Sequence, residues 1–256
     1  MDKGVRPFPT VSLYGVPFSK MNMKETVAYL TRAIEARRST RVITGNPIML
    51  MAGLENPDFH RALATADLVV PDGAGVVWAA SRLKQPVQER VAGFDLMHEL
   101  LQEGDRKSWS VYLLGASADI IQTAHDNLKA KYPGVRFVGY RDGYFTDCED
   151  GAVVTAIREA NPDMLFVARS TLNQEPWIEK YAQQLGVPVI MGVGGSFDVV
   201  AGKLKRAPAI FRKLSLEWFY RLLQEPSRYK RMLVLPRFAL KVIKDGEKVL
   251  KPIKPL

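Results

Sequence analysis

In the stretch Val69-Val-Pro-Asp-Gly-Ala-Gly75, a carboxylate, Asp72, stands directly behind an apolar run and ahead of two glycines. A carboxylate fixed at a strand end can serve as a general base, taking the proton from a nucleophile within hydrogen-bond reach. Asp-Gly is also a common turn pair, so the same residues read equally as a strand terminator. Thr44-Gly-Asn46-Pro47 offers two more short polar side chains behind an apolar run, with the same alternative, since Asn before Pro favours a turn. Gly192-Val-Gly194-Gly195-Ser-Phe197 opens a strand-to-helix turn whose backbone N–H groups suit a phosphate. Phe197 stands where G-x-G-x-x-G needs its third glycine, and the pattern comes late in the chain. A dinucleotide fingerprint is therefore disfavoured, and a close-packed turn is the competing reading.

Several chemistries lack their residues. His60, His98 and His125 lie in separate helical segments, and Cys148 is the only cysteine, so neither zinc-ligand spacing nor a disulfide is available. The chain has no G-x-S-x-G elbow and no G-x-x-x-x-G-K-[ST] loop. No two aspartates stand at D-x-D spacing, the commonest metal clamp of nucleotide-sugar enzymes.

The elements that must position these residues alternate along the chain. Apolar strand-like runs are Arg41–Thr44, Asp67–Val70, Ser110–Leu114, Val135–Val138, Met164–Val167 and Val187–Met191. Helical patterns lie between them, over Lys24–Ala36, Pro57–Thr65, Gly75–Leu83, Asp95–Gln102, Ala118–Lys131, Gly151–Ala160 and Glu175–Leu185. Such alternation predicts an α/β, Rossmann-like, mostly parallel sheet with helices on both faces. Val11–Ser19 reads as a short hairpin or an edge strand, with Tyr14-Gly15 as its turn. In such sheets ligands bind beyond the carboxyl ends of the strands, which is where Thr44, Asn46, Asp72 and the glycine-rich turn fall. After about Pro208 the pattern becomes purely helical. This divides the chain into an α/β catalytic domain, residues 1–208, and a basic amphipathic appendage, residues 209–256. Ile210, Phe211, Leu214, Trp218, Phe219, Leu222 and Leu223 form one apolar stripe there, fit either to lie in a membrane interface or to pack on the body.

Charge follows the same division. The 256 residues carry a net +9, but from Lys203 onward 15 Lys/Arg face only four acids, while the first 202 residues hold 21 basic and 23 acidic side chains. A near-neutral body with a basic tail suggests an anionic partner, whether phosphate, acidic lipid or nucleic acid. The tail's aromatics alternate with aliphatics in a stripe instead of forming spaced stacking platforms, which disfavours nucleic acid. The polar start of the chain has no secretory h-region, and no apolar run approaches the ~20 residues of a membrane span, so a cytoplasmic location is expected.

Several blocks together resemble one family. "TGNPIM" (44–49), "ADLVVPDGAGVVWAASRL" (66–83), "ERVAGFDL" (89–96), "NQEPWI" (173–178), "GVGGSFDVVAGKLKRAP" (192–208) and "LEWFYRLLQEPSRYKR" (216–231) occur in the order seen in the WecG/TagA/CpsF glycosyltransferases, most like the TagA-type N-acetylmannosaminyltransferases. One block departs: Ser170, Leu172 and Asn173 replace a Gly and a Pro-Lys before Gln174-Glu175. The resemblance implies an inverting enzyme that moves a sugar from a UDP-sugar to a polyprenyl-diphosphate-linked sugar. TagA-like members add N-acetylmannosamine to undecaprenyl-diphosphate-GlcNAc in wall teichoic acid linkage synthesis, and others use N-acetylmannosaminuronic acid or glucose. It further implies Asp72 as general base, Thr44 and Asn46 orienting sugar or diphosphate, and Arg90 and Gln174 lining the pocket. Gly192, Gly194, Gly195 and Asp198 would hold the uridine end. Arg221, Arg228 and Arg231 would meet the charge on the leaving diphosphate, at spacings suggesting one helical face unless Pro226 breaks it. No metal and no cofactor are implied. The partners expected are the UDP-sugar, the lipid-linked acceptor and the anionic inner face of the plasma membrane, where the protein would sit peripherally. Nucleic acid is not among them, and a homo-oligomer is left open.

Overall fold

Apolar runs without alternation, such as Val111-Tyr-Leu-Leu114 and Met164-Leu-Phe-Val167, require strands covered on both faces. In the computed structural model, which describes residues 6–214 and 216–251, those runs lie inside an eight-stranded sheet. The strands are β1 (Thr10–Leu13), β2 (Val16–Ser19), β3 (Thr40–Gly45), β4 (Leu68–Pro71), β5 (Ser110–Gly115), β6 (Arg136–Arg141), β7 (Met164–Ala168) and β8 (Val189–Gly192). Their order across the sheet is β1-β2-β4-β3-β8-β7-β5-β6. Only β1–β2 is antiparallel, an edge hairpin with Tyr14-Gly15 as its turn.

Among the described residues the strands are connected by α1 (Met23–Glu35), α2 (Pro47–Glu55), α3 (Pro57–Thr65), α4 (Ala74–Arg82), α5 (Gly93–Lys107), α6 (Ala118–Lys131), α7 (Asp150–Ala160) and α8 (Thr171–Leu185), and β8 is followed by α9 (Ser196–Val200). Period-two alternation within each strand divides the interior into distinct cores. Leu68, Val70, Leu113, Phe166 and Met191 meet α1, α5, α6 and α9 on one face. On the other, Ile43 and Val69 meet α2, α3 and α4, while Leu114, Leu165 and Ile190 meet α7 and α8. The chain leaves β8 toward α9 on the first face, but leaves the flanking β3 and β7 toward α2 and α8 on the second. Connections that diverge from neighbouring strand ends leave a crevice between them, the position where open α/β sheets hold ligands.

Three helices differ from the sequence expectation, and the first, α5, runs on to Lys107, a turn past the expected end at Gln102. Residues 47–55, which the sequence pattern assigns to no element, form α2, because Asn46 caps it and Pro47 supplies the preset φ of a first helical position. Helix α8 begins at Thr171, a turn earlier than expected, and carries Pro176 inside it.

The described residues after Pro208 behave in two ways. Helices α10 (Ala209–Lys213), α11 (Glu217–Gln224) and α12 (Tyr229–Met232) hold no fully buried side chain among those described. Helix α13 (Val234–Asp245) instead buries Phe238 and Val242 against α2 and α4, and Val249 of the following 3-10 turn joins the same core. Tyr14 Oη also donates to Asp245 Oδ2 at 3.0 Å, and Tyr14 N–H donates to Val249 O. Each fully buried Phe or Val side chain contributes about 1.5–3 kcal/mol, so α13 is part of the body. Helix α11 is held mainly by polar contacts, an Arg90–Glu217 ion pair and a two-way bond between Gln224 and the Lys205 backbone. Ion pairs of this kind add about 0–1 kcal/mol each when solvent reaches them.

Candidate active site

The parallel register fixes the first two site residues relative to each other. Gly45 at the end of β3 pairs with Pro71 at the end of β4, so Asn46 and Asp72 emerge at one level. The Asp72 N–H donates to Gly45 O at 2.9 Å, and Gly93 N–H donates to Asp72 Oδ2 at 3.1 Å. Gly93 opens α5 against Thr44, where a β-carbon would stand 2.6 Å from Thr44 Cγ2; only glycine lets the helix approach this closely. Thr44 Oγ1 in turn donates to Gly192 O at 3.4 Å, joining β3 to the end of β8. Thr44, Asp72, Gly93 and Gly192 thus surround the crevice predicted from topology.

Burial lifts the Asp72 carboxyl above the usual carboxylate range, the Glu217 charge adds to this, and the Gly93 N–H, Arg90 and Arg221 oppose it. A carboxylate less stable as an anion is a better proton acceptor. Arg90 and Glu217 form an ion pair, which brings the start of α11 beside Asp72. Arg221, one turn further along α11, then lies over the glycine-rich turn, with Nη2 3.6 Å from where a Gly195 β-carbon would be; Asp198 Oδ2 is equally near that point. Asp198 also faces Lys203 Nζ at 3.9 Å.

The three appendage arginines do not share one helix. The chain breaks at Glu225-Pro226, leaving Arg221 on α11, Arg228 in a 3-10 turn (Pro226–Arg228) and Arg231 on α12. They nevertheless converge. The Arg231 guanidinium is held below its ordinary value first by burial and then by the positive charges of Arg228 and Arg221, with Glu225 working the other way. Arg228 Nε meets Glu225 Oε2 at 2.9 Å. Glu225 thus offsets part of the mutual repulsion of these cations.

Gln174 stands differently from the pocket-lining role implied for it. It is 5 % exposed, its Oε1 accepts the N–H groups of Arg169 and Gly194 at 3.2 and 3.3 Å, and its Nε2 donates to Glu175 Oε1 at 2.6 Å. Burial pushes Glu175 up to about 7, against the pull of the Gln174 amide and the charge of Arg41. Asn46 Oδ1 caps α2, accepting from Ile48 N–H and Met49 N–H at 3.0 and 3.1 Å, so only its Nδ2 is left to face the crevice. The missing β-carbon of Gly75 accommodates Pro47, whose Cγ would lie 2.6 Å away. The turn at Gly192–Ser196 also offers less to an anion than its glycines suggest. The Val193, Gly194 and Ser196 N–H groups bind Val167 O, Gln174 Oε1 and Val193 O, and α9 is only five residues long.

Gly93, Glu217 and Glu175 were not singled out in the sequence. Gly93 lies inside the "ERVAGFDL" block, and Glu217 stands four residues before Arg221, on the same face of a helix; these were the available signals. Among the described residues no three His, Cys, Asp or Glu side chains gather in a way that could hold a metal ion. The arrangement offers an acceptor for one proton beside a cluster of fixed cations.

The family described as "Glycosyl transferase WecG/TagA/CpsF family" matches residues 11–251. Relatives named N-acetylglucosaminyldiphosphoundecaprenol N-acetyl-beta-D-mannosaminyltransferase include one from Bacillus spizizenii, 38% identical over 87% of this chain and 86% of its own. Another, from Bacillus subtilis, is 36% identical over 96% of this chain and 95% of its own. A third, from Staphylococcus aureus, is 37% identical over 94% and 95%.

Proposed function

Because the chain belongs to the WecG/TagA/CpsF family and is a glycosyltransferase, we propose that it moves N-acetylmannosamine from UDP-N-acetylmannosamine to undecaprenyl-diphosphate-linked N-acetylglucosamine, with inversion, in wall teichoic acid linkage synthesis. The acceptor hydroxyl gives its proton to Asp72 as its oxygen bonds to the anomeric carbon. The bond from that carbon to the diphosphate oxygen breaks, and UDP leaves with the electron pair. Charge developing on the diphosphate is met by Arg221, Arg228 and Arg231, whose fixed guanidinium forks suit phosphate oxygens. Thr44, Asn46 Nδ2 and Arg90 bind and orient the donor. The observation that supports this reading is that Asp72 at the end of β4 and Arg221 over the Gly195 turn lie at one end of the sheet, with the Arg90–Glu217 pair between them and Arg228 and Arg231 near Arg221. The names of the relatives supply the sugar and the lipid carrier.

The test is a panel of UDP-sugars offered with a lipid-diphosphate-GlcNAc acceptor, with and without EDTA. Transfer from UDP-N-acetylmannosamine that EDTA leaves unchanged is expected. Transfer only from UDP-glucose or a uronic acid donor would reassign the sugar, and loss of activity in EDTA would reject arginines as the sole diphosphate cations.

The lipid tail of the acceptor requires the enzyme to work at a membrane surface, and the appendage supplies a surface of the right kind. Ile210, Leu214 and Leu223 are 63, 62 and 58 % exposed, among basic residues, and no helix of the described residues is long and apolar enough to cross a membrane. Apolar residues inserted at the interface and Lys/Arg facing anionic headgroups act together in such docking. I210D/L223D is expected to weaken binding to anionic vesicles by about tenfold or more, measured by co-sedimentation, with an unchanged unfolding temperature. Vesicle binding equal to wild type would reject this face.

A further inference from the structure

Gln174 Oε1 is a single acceptor with two lone pairs, and both are used by N–H groups from different loops. Arg169 N–H belongs to the loop after β7, and Gly194 N–H to the turn after β8. One side-chain oxygen therefore fixes the separation of two adjacent rim loops. The bond is directional only while the amide keeps its orientation. A flipped amide would aim Nε2 at two N–H donors. Glu175 Oε1, 2.6 Å from Gln174 Nε2, is the group that prevents this, since a carboxylate accepts from Nε2 and repels the amide oxygen. Both side chains are buried, at 5 and 2 % exposure, so water cannot substitute for the missing partner. Gly192 completes the enclosure: a β-carbon there would collide with Gln174 Nε2 and Glu175 Oε1.

We propose that Glu175 is a positioning residue for the transfer reaction: it orients the Gln174 amide, which clamps the glycine-rich turn against the loop after β7 and so sets where Gly195, Asp198 and Arg221 stand around the donor. Glu175 itself lies beneath Gly192 and acts through Gln174. The inference rests on the reading of this crevice as the UDP-sugar site.

The experiment compares wild type, E175Q, E175M, Q174M and E175M/Q174M. Donor KM, kcat and UDP affinity by calorimetry are measured, along with unfolding temperature and hydrogen exchange at the Arg169 and Gly194 amides. E175Q keeps an accepting carbonyl and is expected to remain near wild type in every measure. E175M and Q174M are expected to lose about tenfold or more in kcat/KM for the donor, mainly through KM, with weaker UDP binding and faster exchange at both amides. Because Glu175 acts through Gln174, the double variant should fall below the worse single variant by no more than about twofold. Wild-type donor KM and protected amides in E175M would overturn the proposal, as would additive losses in the double variant. If E175M does not fold, Q174M and E175Q carry the same comparison: wild-type exchange in Q174M, or fast exchange in E175Q, overturns it. A wild type that neither binds UDP nor transfers sugar would reject the site reading alone, since the exchange measurements need no substrate.

Discussion

D72N is expected to transfer sugar about 10²- to 10⁴-fold more slowly than wild type, while unfolding at a temperature no lower. The two effects have one cause. Asp72 is tied by its own N–H to Gly45 and through Oδ2 to the Gly93 N–H, so its place is fixed by backbone and survives a change to the isosteric amide. Asn accepts the same Gly93 bond through Oδ1 but has no proton affinity to lend the acceptor hydroxyl. Burial and Glu217 raise the wild-type carboxyl above its ordinary 3.8 against Gly93, Arg90 and Arg221. The folded protein therefore holds this proton at pH values where the unfolded chain has released it. The carboxyl favours the folded state at low pH, and that contribution is lost as pH rises through the folded value. At neutral pH the ionised group works against folding, and asparagine removes the opposition. The stability difference between D72N and wild type should thus be largest above the folded value and vanish below about 3.9. Wild-type turnover should fall in acid as Asp72 takes up its proton, and the residual D72N rate should lack that limb. Wild-type turnover in D72N would remove Asp72 from the chemistry. A large drop in unfolding temperature with lost UDP binding would make it a structural residue.

Pattern carried the sequence reading furthest where each element buries one clear face. The hairpin at Tyr14-Gly15, helices α3 and α6 and the six parallel strands follow from period and turn chemistry. Helix α2 was hidden because "PIMLMAGLE" is apolar all round, packed against the sheet on one side and α13 on the other, and so shows no 3.6-residue stripe. The start of α8 was hidden because Pro176 reads as a first helical residue, whereas the helix continues through it for another turn. In the site, strand ends were legible because polar residues there interrupt apolar runs. Contacts that bring distant segments together were not. Nothing local links Glu217 to Arg90, or sets Gln174 beneath the turn at Gly194, until the sheet order is known. The last helix shows the same limit. Its Phe238 and Val242 lie in the basic tail, yet they fill the core beside Met49 and Val76. Removing everything after Pro208 would therefore open the body as well as delete the arginines, and single substitutions are the sharper test of the appendage.

The sharpest of these is R221A, expected to lower kcat by about 10²- to 10³-fold with little change in unfolding temperature. Arg221 belongs to α11, which buries none of its side chains, so its loss leaves no cavity and no unpaired partner in the core. In the proposed reaction its charge nevertheless reaches both ends. It stands over Gly195, and its charge favours the Asp72 anion. Charge on the diphosphate is greater in the transition state than in the bound donor, so the loss should fall on kcat more than on KM. R228A should lose less, because Arg228 is already partly neutralised by Glu225. R221K keeps the charge without the two-pronged geometry and should recover only part of the activity. Removing Arg221 also removes a cation that favours the Asp72 anion, so the acid limb of the R221A profile should move to higher pH than that of wild type. That shift separates a direct electrostatic role from a loosened appendage, which would lower activity equally at every pH. R221A with wild-type kcat, or with a uniform loss matched by R228A, would reject the assignment and leave the arginine cluster as a membrane-facing charge alone.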